Sequence, residues 1–213
     1  MKLSALLTAL LLVGHARAAT ITETYSLSTT AVIPDGDLSG LVQTINVTSS
    51  TLASIDSLTV QLETSGGWDG DLYAYLWHNG VISVLVNRPG RSAVLPDGSP
   101  ASGMNITLSD VATIDIHIAS GALSGNFQPD QRNVHPLLAM NTDNRTTPLS
   151  LFGGAAPTGE WRLFIADVAS GDEASIVSWG VSLTGPEAVP EPGGVMLLAM
   201  ASASALCKRR RVG

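Results

Sequence analysis

Hydrophobic and polar residues alternate along much of this chain with a period of two, the pattern of β-strands that bury one face. The clearest alternation runs through residues 161–166, stops at a polar turn over residues 167–173, and resumes at residues 177–183. Trp161 and Trp179 fall on positions that share a face with aliphatic residues. The pattern predicts a hairpin that carries large rings on its buried face, with the rest of the domain packed against it.

The same period predicts further strands upstream. They lie at residues 41–47, 58–63, 72–77, 81–86, 105–108 and 113–118. Asn79-Gly80, between two of these strands, predicts a tight hairpin turn. Residues 121–157 are long and polar and are interpreted as a loop. Because no helix of more than two turns is indicated, the pattern predicts an all-β fold, an antiparallel β-sandwich or jelly roll of about eight to nine strands.

The N-terminal residues 1–18 have the composition of a secretory signal peptide. Lys2 precedes a short apolar run, and Ala16-Arg17-Ala18 supplies small residues at the cleavage positions Ala16 and Ala18. An uncleaved membrane anchor is the less favoured alternative, since a membrane span needs about 20 apolar residues. We therefore expect export through the Sec route, with cleavage after Ala18 and with cleavage after Ala19 as the alternative.

Residues 186–213 form a separate unit that predicts a short transmembrane helix. A proline-rich spacer leads into the apolar run 193–207, which would span about 22 Å as a helix, short of a hydrocarbon core of about 30 Å. Local thinning and snorkelling would close that gap. The basic cluster of Lys208, Arg209, Arg210 and Arg211 would hold the C-terminus in the cytoplasm and leave the folded domain outside. A core helix with a solvated basic tail is the alternative.

Charge is distributed unevenly along the chain. Residues 19–189 contain five arginines, no lysine and 17 acidic residues, a formal charge of −12. Such a surface repels nucleic acid and anionic lipid. The single cysteine, Cys207, allows no disulfide within the chain.

The C-terminal segment resembles the PEP-CTERM sorting signal of Gram-negative bacteria. The residues that carry this resemblance are Val189-Pro190-Glu191-Pro192, followed by the apolar run and the basic cluster. The resemblance implies that exosortase, a membrane protease, cleaves at the Pro190-Glu191-Pro192 motif and transfers or releases the domain. It also implies a mature protein at the cell surface or in an extracellular matrix rich in exopolysaccharide.

Within the predicted domain of residues 19–185, roughly residues 31–185 resemble the P domain (P/Homo B domain) that follows the catalytic domain of subtilisin-like proprotein convertases. Residues 159–167 match G-x-W-x-L-x-(I/V)-x-D and residues 178–185 match S-W-x-(V/L)-x-L-x-G. Three weaker matches fall upstream in the same order, namely Ile33-Pro34-Asp35, Trp68-Asp69-Gly70-Asp71-Leu72 and residues 102–108. The resemblance implies a β-sandwich that accompanies serine proteases and in some members holds calcium.

No catalytic constellation is visible, so we expect no enzyme activity. The chain lacks the H-G-T-x-x-A and G-T-S-x-A segments of subtilisin-like proteases and the G-x-S-x-G elbow. His78, His117 and His135 have no neighbouring serine or acid in a known pattern, and three scattered histidines do not support a zinc site. We interpret His78 and His117 as surface or hydrogen-bonded structural residues.

Paired acids are the remaining chemical feature. Asp69 and Asp71 are two residues apart on one predicted strand edge, so we expect their side chains to share a face. Loop carboxylates suit calcium, whereas a glycosidase pair would also need an aromatic cleft, and turn-forming acids that only aid solubility are an equal alternative. The candidate calcium ligands are Asp35, Asp37, Asp69, Asp71, Asp167 and Asp172.

Three functions compete on these residues. The first is a non-enzymatic secreted β-sandwich with an adhesive or structural role in the extracellular polysaccharide matrix. Such a domain could instead be the accessory partner of a separate subtilisin-like protease. The second is a carbohydrate-binding module for exopolysaccharide, and the third is a hydrolase on a jelly-roll scaffold. Exposed aromatic residues on a flat sheet face would favour the second, but we expect Trp68, Tyr73, Tyr75 and Trp77 to be largely core. Exosortase, exopolysaccharide or a surface protein are the expected partners, with membrane contact only through the C-terminal helix.

Overall fold

Two β-sheets pack against one another in the computed structural model, which describes residues 18–189. Their strands are β1 (Thr20–Val32), β2 (Leu41–Val47), β3 (Ser57–Gly66), β4 (Leu72–His78), β5 (Val81–Asn87), β6 (Asn105–Leu108), β7 (Ser124–Phe127), β8 (Gly159–Asp167) and β9 (Ala174–Pro186). One sheet has the order β1-β9-β3-β6-β7 and the other β2-β8-β4-β5. All neighbouring pairs are antiparallel except β6 and β7. The predicted all-β class is confirmed, and the two sheets fit a β-sandwich.

The core lies between the sheets and is built from the inward positions of every long strand. Trp161 of β8 and Trp179 of β9 are 0% and 1% exposed. Trp161 stacks on His78 with ring centroids 3.9 Å apart, and its Nε1 donates a hydrogen bond to the carbonyl of Pro157 at 3.0 Å. The two strands with the clearest alternation therefore carry the largest buried rings, as the pattern predicts.

The predicted hairpin between these two strands is wrong. β8 lies between β2 and β4, whereas β9 lies between β1 and β3 in the opposite sheet, so residues 168–173 cross from one sheet to the other. Alternation reports which face of a strand is buried but not which strand it pairs with. Each of these strands is central to its own sheet.

The hairpin predicted at Asn79-Gly80 is confirmed. β4 and β5 pair directly around these two residues. Asn79 has φ 49° and Gly80 has φ 82°, the pair of positive values that a type I′ turn requires.

Two strands were missed and one was wrongly predicted. β1 lies in the Ser- and Thr-rich segment after the predicted signal peptide. Too few of its inward residues are large and hydrophobic for the alternation to be visible in the sequence. β7 is a four-residue strand inside the predicted loop. Residues 113–118 form no strand, and Ile116–Ile118 is instead a 3₁₀ turn in which the Asp115 side chain accepts a hydrogen bond from the backbone N–H of His117.

The long segment after β7 protects the edge of β5. The backbone N–H groups of Asp130 and Gln131 donate to the carbonyls of Leu85 and Val84, and the Ser83 hydroxyl donates to the carbonyl of Thr147. This cover explains why β5 is buried on both faces over most of its length. An uncovered edge strand of that composition would favour aggregation.

The two ends of the described range meet at one end of the sandwich. The backbone N–H of Glu187 donates to the carbonyl of Ala19 at 2.7 Å, and that of Ala188 donates to Thr51, also at 2.7 Å. Ala18 and Val189 lie at the limits of the described residues. Within residues 18–189 we find no helix with the length and hydrophobicity needed to cross a bilayer.

The predicted sorting elements lie outside the described residues. These elements are the signal peptide with Ala16, the motif residues Pro190, Glu191 and Pro192, the apolar run 193–207 and the basic cluster Lys208, Arg209, Arg210 and Arg211. They remain predictions from sequence.

Replacing the buried ring of β8 tests the assignment of the core. We expect Trp161→Ala to lower the free energy of unfolding by about 3–5 kcal/mol, because it leaves a cavity and removes the contact with His78. Chemical denaturation followed by circular dichroism measures this. Trp68→Ala is the matched control, since Trp68 is 39% exposed, and it should cost less than about 0.5 kcal/mol. Equal losses for both variants would contradict the assignment.

Candidate ligand-binding face

The outer face of the β2-β8-β4-β5 sheet carries a cluster of aromatic side chains. In β4 the small and aliphatic residues point inward, while Tyr73, Tyr75 and Trp77 alternate with them and are half-buried on the outside. Arg162 and Phe164 of β8 lie beside them. We call these five residues the aromatic face.

Strand register fixes the arrangement of the aromatic face. Phe164 lies opposite Tyr75 of β4 on one side and Val42 of β2 on the other. In the next row, Arg162 lies between Trp77 and Thr44. Since alternate residues of a strand are about 6.7 Å apart, the row from Tyr73 to Trp77 is about 13 Å long.

The rings form a ridge between two depressions. Tyr75 and Phe164 are stacked, with centroids 4.8 Å apart and planes at 16°. On one side a depression of about 410 Å³ is lined by Tyr73, Leu38 and residues 133–136. On the other side a depression of about 460 Å³ is lined by Trp77, Arg162, Val42 and Thr44. Both are open to solvent along the sheet.

Polar groups accompany the rings. The Arg162 guanidinium lies 4.7 Å from the centroid of the Trp77 ring and is paired with Glu160 of the same strand. Neither tyrosine hydroxyl of the aromatic face makes a hydrogen bond to any residue between 18 and 189. Burial, with smaller contributions from Tyr75 and Asp130, raises the pKa of Tyr73 to about 12, so this phenol remains a donor near neutral pH.

The expectation that the aromatic residues of β4 are core is wrong. Both faces of this strand are hydrophobic in sequence, with Leu, Ala and Leu on one side and Tyr, Tyr and Trp on the other. The smaller set is buried because Trp161 and Trp179 already fill the space between the sheets. Only the pairing of β4 with β8, whose outward residues include Glu160 and Arg162, shows which side faces solvent.

The six predicted calcium ligands occupy the end of the sandwich opposite the chain ends, but they do not form one site. Asp71 pairs with Arg88, whose Nη2 lies 3.1 Å from it, and Arg88 Nε donates to the carbonyl of Gly70. Asp35 accepts a hydrogen bond from the backbone N–H of Gly171. Asp37 accepts one from Ser39 within its own turn. Asp172 is close enough to raise the pKa of Asp71, an effect smaller than that of burial.

Asp69 and Asp167 are fully buried, and their carboxylates are incompletely satisfied. Both oxygens of Asp69 and Oδ2 of Asp167 accept no hydrogen bond among the described residues. Burial raises the pKa of Asp69 to about 7 and that of Asp167 to about 6. The backbone N–H of Gly103 acts in the opposite direction on Asp69, although it lies outside hydrogen-bond geometry.

The predicted shared face of Asp69 and Asp71 is wrong, because these residues belong to a 3₁₀ turn, Asp69–Asp71, and not to a strand. Residues two apart in a 3₁₀ turn point in different directions. No three acidic, histidine or cysteine side chains in residues 18–189 converge as a metal site would require. Calcium binding stays a prediction from sequence, and this arrangement supplies no ready ligand set for it.

The two buried histidines have structural partners. His78 contacts the carbonyls of Glu160 and Ala156. His117 Nδ1 lies 2.7 Å from Asp130, and its Nε2 donates to the carbonyl of Arg91. Burial lowers the pKa of His117, but the hydrogen bond and charge of Asp130 outweigh it and raise the pKa above its usual value. Because its Nε2 faces a carbonyl, His117 is not placed to activate a nucleophile.

An ion-pair cluster surrounds His117 and joins the loops on that side. Arg132 pairs with both Asp130 and Asp115, at 3.2 and 2.8 Å. Arg145 lies 3.7 Å from Asp115 and donates to Gln128. The ion pairs of this cluster hold the segment that covers β5 in place, so the role of the cluster is structural.

Comparison with known proteins does not assign a family. No family model and no curated protein matches the sequence. Among solved structures, similar chains occur in the complex of an Aeromonas sobria serine protease with its chaperone (TM-score 0.45, 14% identity, 82% of this chain and 28% of that chain) and in the serine protease of Aeromonas sobria (TM-score 0.44, 13% identity, 78% and 27%). The chain thus spans little more than a quarter of those chains, and the similarity is too distant to indicate a function.

The buried acids predict a pH dependence of stability. Between about pH 4 and pH 7 the folded protein holds protons on Asp69 and Asp167 that the unfolded chain has released, so the free energy of unfolding should fall as pH rises through this window. His117 acts in the same direction above about pH 6.5, because its raised pKa stabilises the fold only while the ring is protonated.

Denaturation midpoints at pH 5 and pH 8 measure this dependence. We expect Asp69→Asn to remove much of the slope and to be more stable than the wild type at pH 8, by on the order of a few kcal/mol, since one pKa unit is about 1.4 kcal/mol. Asp37→Asn is the control, because Asp37 is exposed, and it should leave the slope unchanged. A wild type equally stable at both pH values would show that burial does not perturb these carboxyls.

Proposed function

We propose that this chain is an exported, non-enzymatic β-sandwich that binds an uncharged polysaccharide of the extracellular matrix through its aromatic face. The observation that supports this most directly is the row of half-exposed rings on β4, with the stacked Tyr75 and Phe164 rising between two open depressions. Exposed apolar patches rimmed by polar groups mark interaction sites on soluble domains.

The chemistry of a sugar ring suits this surface. A pyranose presents C–H groups on its faces and hydroxyls around its rim, so it packs on an aromatic ring while its rim meets polar groups. Tyr73 and Tyr75 offer hydroxyls without partners among residues 18–189, and Thr44 and Arg162 flank the second depression. A row of about 13 Å is long enough to contact a short stretch of a polysaccharide chain, more than one sugar unit.

Charge favours an uncharged ligand. The region from residue 19 to residue 189 carries a formal charge of −12, which repels polyanions such as nucleic acid or a polysaccharide rich in uronic acid. On the aromatic face itself the arginine is already paired with Glu160. The local surface is therefore close to neutral, as a neutral glycan requires.

Binding fits this face better than hydrolysis does. A glycosidase uses two carboxyl groups across the scissile bond, about 5 to 10 Å apart. Glu160 is the carboxylate adjoining the aromatic face, and it is engaged by Arg162. Asp69 lies just before β4 and Asp167 lies opposite its first residue, Leu72, and both acids are fully buried, away from the rings of the aromatic face.

The flanking sequences support a function outside the cell. The resemblance of residues 188–211 to a PEP-CTERM signal supports processing by exosortase and delivery to the surface or matrix. Both described ends leave from one end of the sandwich, where Glu187 bonds to Ala19. The aromatic face runs along the side of the domain, and attachment through the tail would leave it accessible.

Removing rings from the aromatic face tests the proposal. We expect Tyr75→Ala and Trp77→Ala each to weaken binding to a soluble neutral polysaccharide about tenfold or more, because one stacked aromatic ring contributes about 1–3 kcal/mol in comparable ring-on-ring contacts. Affinity electrophoresis of the full chain in gels containing laminarin, glucomannan or galactan measures the binding. The wild-type affinity should change little between 50 and 500 mM salt, since no charge pairing with the ligand is involved.

Trp68→Ala is the matched control, because Trp68 is exposed but lies off the aromatic face. It should bind like the wild type. Wild-type protein that is retarded by none of these glycans, nor by the extracellular polysaccharide of the source bacterium, would refute the proposal. Retardation that both Trp77→Ala and Trp68→Ala leave intact would place the binding elsewhere.

A further inference from the structure

The opposite face of the sandwich has a different and equally uniform chemistry. On the outer side of the β1-β9-β3-β6-β7 sheet, strand register aligns short polar side chains in four successive rows. The rows are Thr22, Thr184 and Ser57; Thr24, Ser182 and Thr59; Ser26, Gly180, Gln61, Thr107 and Asn126; and Ser28, Ser178, Glu63, Asn105 and Ser124. Apart from Gly180 and Glu63, every member is Ser, Thr, Asn or Gln. We call this surface the hydroxyl face.

Hydrogen bonds between strands hold the hydroxyl face in order. Thr22 and Thr184 hydroxyls lie 2.7 Å apart, and those of Thr24 and Ser182 lie 2.9 Å apart. The Gln61 amide reaches Ser182 at 3.3 Å. Short side chains tied to one another lose little conformational entropy when they meet a partner. The register breaks at Ser28/Ala31 and at Glu63/Thr64, just beyond the last row, so the rows themselves are regular.

The composition of the hydroxyl face departs from that of an ordinary solvated surface. Surfaces of soluble proteins are rich in charged residues of both signs, and this domain has 17 acids between residues 19 and 189. On the hydroxyl face the only carboxylate is Glu63, and it accepts a hydrogen bond from Ser178 at 3.0 Å. Within the four rows the negative charge is thus limited to Glu63.

These properties exclude most partners. A face without cations does not suit nucleic acid or anionic lipid. A face without aromatic or aliphatic residues lacks the anchors that dominate protein–protein interfaces. The partner that matches an uncharged, shallow array of hydrogen-bond donors and acceptors is a surface that is itself uncharged and covered with hydroxyl groups.

We propose that the hydroxyl face binds packed, uncharged polysaccharide, in which several chains lie side by side and present a surface of hydroxyl groups. Within a row, side chains on neighbouring strands are about 4.8 Å apart, and successive rows are about 6.7 Å apart along the strands. Such an array can form hydrogen bonds to many sugars at once, each bond being weak. Affinity then comes from the number of contacts. A single soluble chain would leave most of the rows unpaired and would bind poorly.

The proposal does not depend on the aromatic face, but the two together have a consequence. If both hold, which requires the function proposed above for the aromatic face, one domain would contact a soluble chain on one side and a packed chain surface on the other. It would then connect loose and ordered polysaccharide within a matrix.

Two lysines placed on the hydroxyl face test the proposal. In the double variant Thr24→Lys, Thr59→Lys, long charged side chains keep a packed surface at a distance. Both positions lie on the outer side of the sheet in one row, with Ser182 between them. The matched control is Thr142→Lys, Thr158→Lys, which adds the same charge at exposed positions off both faces. Circular dichroism and thermal melts check that each variant is folded.

Co-sedimentation of the full chain with microcrystalline cellulose, chitin and an insoluble α-glucan measures binding. To remove the aromatic face, each variant is also made in the Tyr75→Ala, Trp77→Ala background. We expect this background to retain binding to at least one particle, the control lysines to leave it unchanged, and the hydroxyl-face lysines to weaken it at least tenfold. Binding to soluble glycan should survive the hydroxyl-face lysines.

Three results would overturn the proposal. The first is a wild type that sediments with none of the particles, and the second is equal sedimentation of the two lysine variants. The third is a concentration-dependent dimer, seen by analytical ultracentrifugation, that the hydroxyl-face lysines abolish while particle binding persists, because the face would then serve a second copy of the chain. If soluble glycan fails to bind but the particle result stands, the function proposed for the aromatic face falls and this one does not.

Discussion

The space between the two sheets is filled from both sides by a tryptophan, and this constraint determines which residues are left for the surface. Trp161 on one sheet and Trp179 on the other are essentially inaccessible to solvent. With two large rings inside, the inward positions of β4 hold smaller side chains than the outward ones: Ala74 and Leu76 are fully buried there, next to His78, whose ring stacks on Trp161. The remaining rings of β4 are therefore displaced to the outside. The aromatic face thus consists of rings of β4 that the filled core leaves on the outer side of the sheet.

The elements that sequence could predict are those whose signal is local. The alternation in β8 and β9 and the Asn79-Gly80 turn each depend on a few neighbouring residues, and each was found. The predictions that were wrong depend on which strands pair, and strand pairing joins residues that are far apart in the sequence. The alternation around Trp161 and Trp179 looks like a hairpin because adjacent strands commonly pair, yet the residues between them cross to the other sheet.

The candidate site shows the same division. No periodicity could show that Tyr75 faces solvent, since its neighbours on both faces of β4 are hydrophobic. The acids failed for another reason, because a single 3₁₀ turn at Asp69–Asp71 separates two carboxylates that a strand would have aligned. The hydroxyl face was invisible because serine and threonine in β1 resemble the composition of a loop, and only its register with β9 and β3 reveals a surface.

The distribution of charge links these features into one argument about function. Acids of residues 35–37, 69–71 and 167–173 gather at the end opposite Ala19 and Glu187, while both broad faces of the sandwich are nearly uncharged. These are seven of the 17 acids between residues 19 and 189, and the others lie elsewhere in the domain. Glu63 lies on the hydroxyl face, and Glu160, beside the aromatic face, is paired with Arg162. Both broad faces are therefore close to neutral. Two neutral faces of different chemistry, one of rings and one of hydroxyls, suit a hydrated and uncharged polymer better than they suit a protein, a membrane or a nucleic acid.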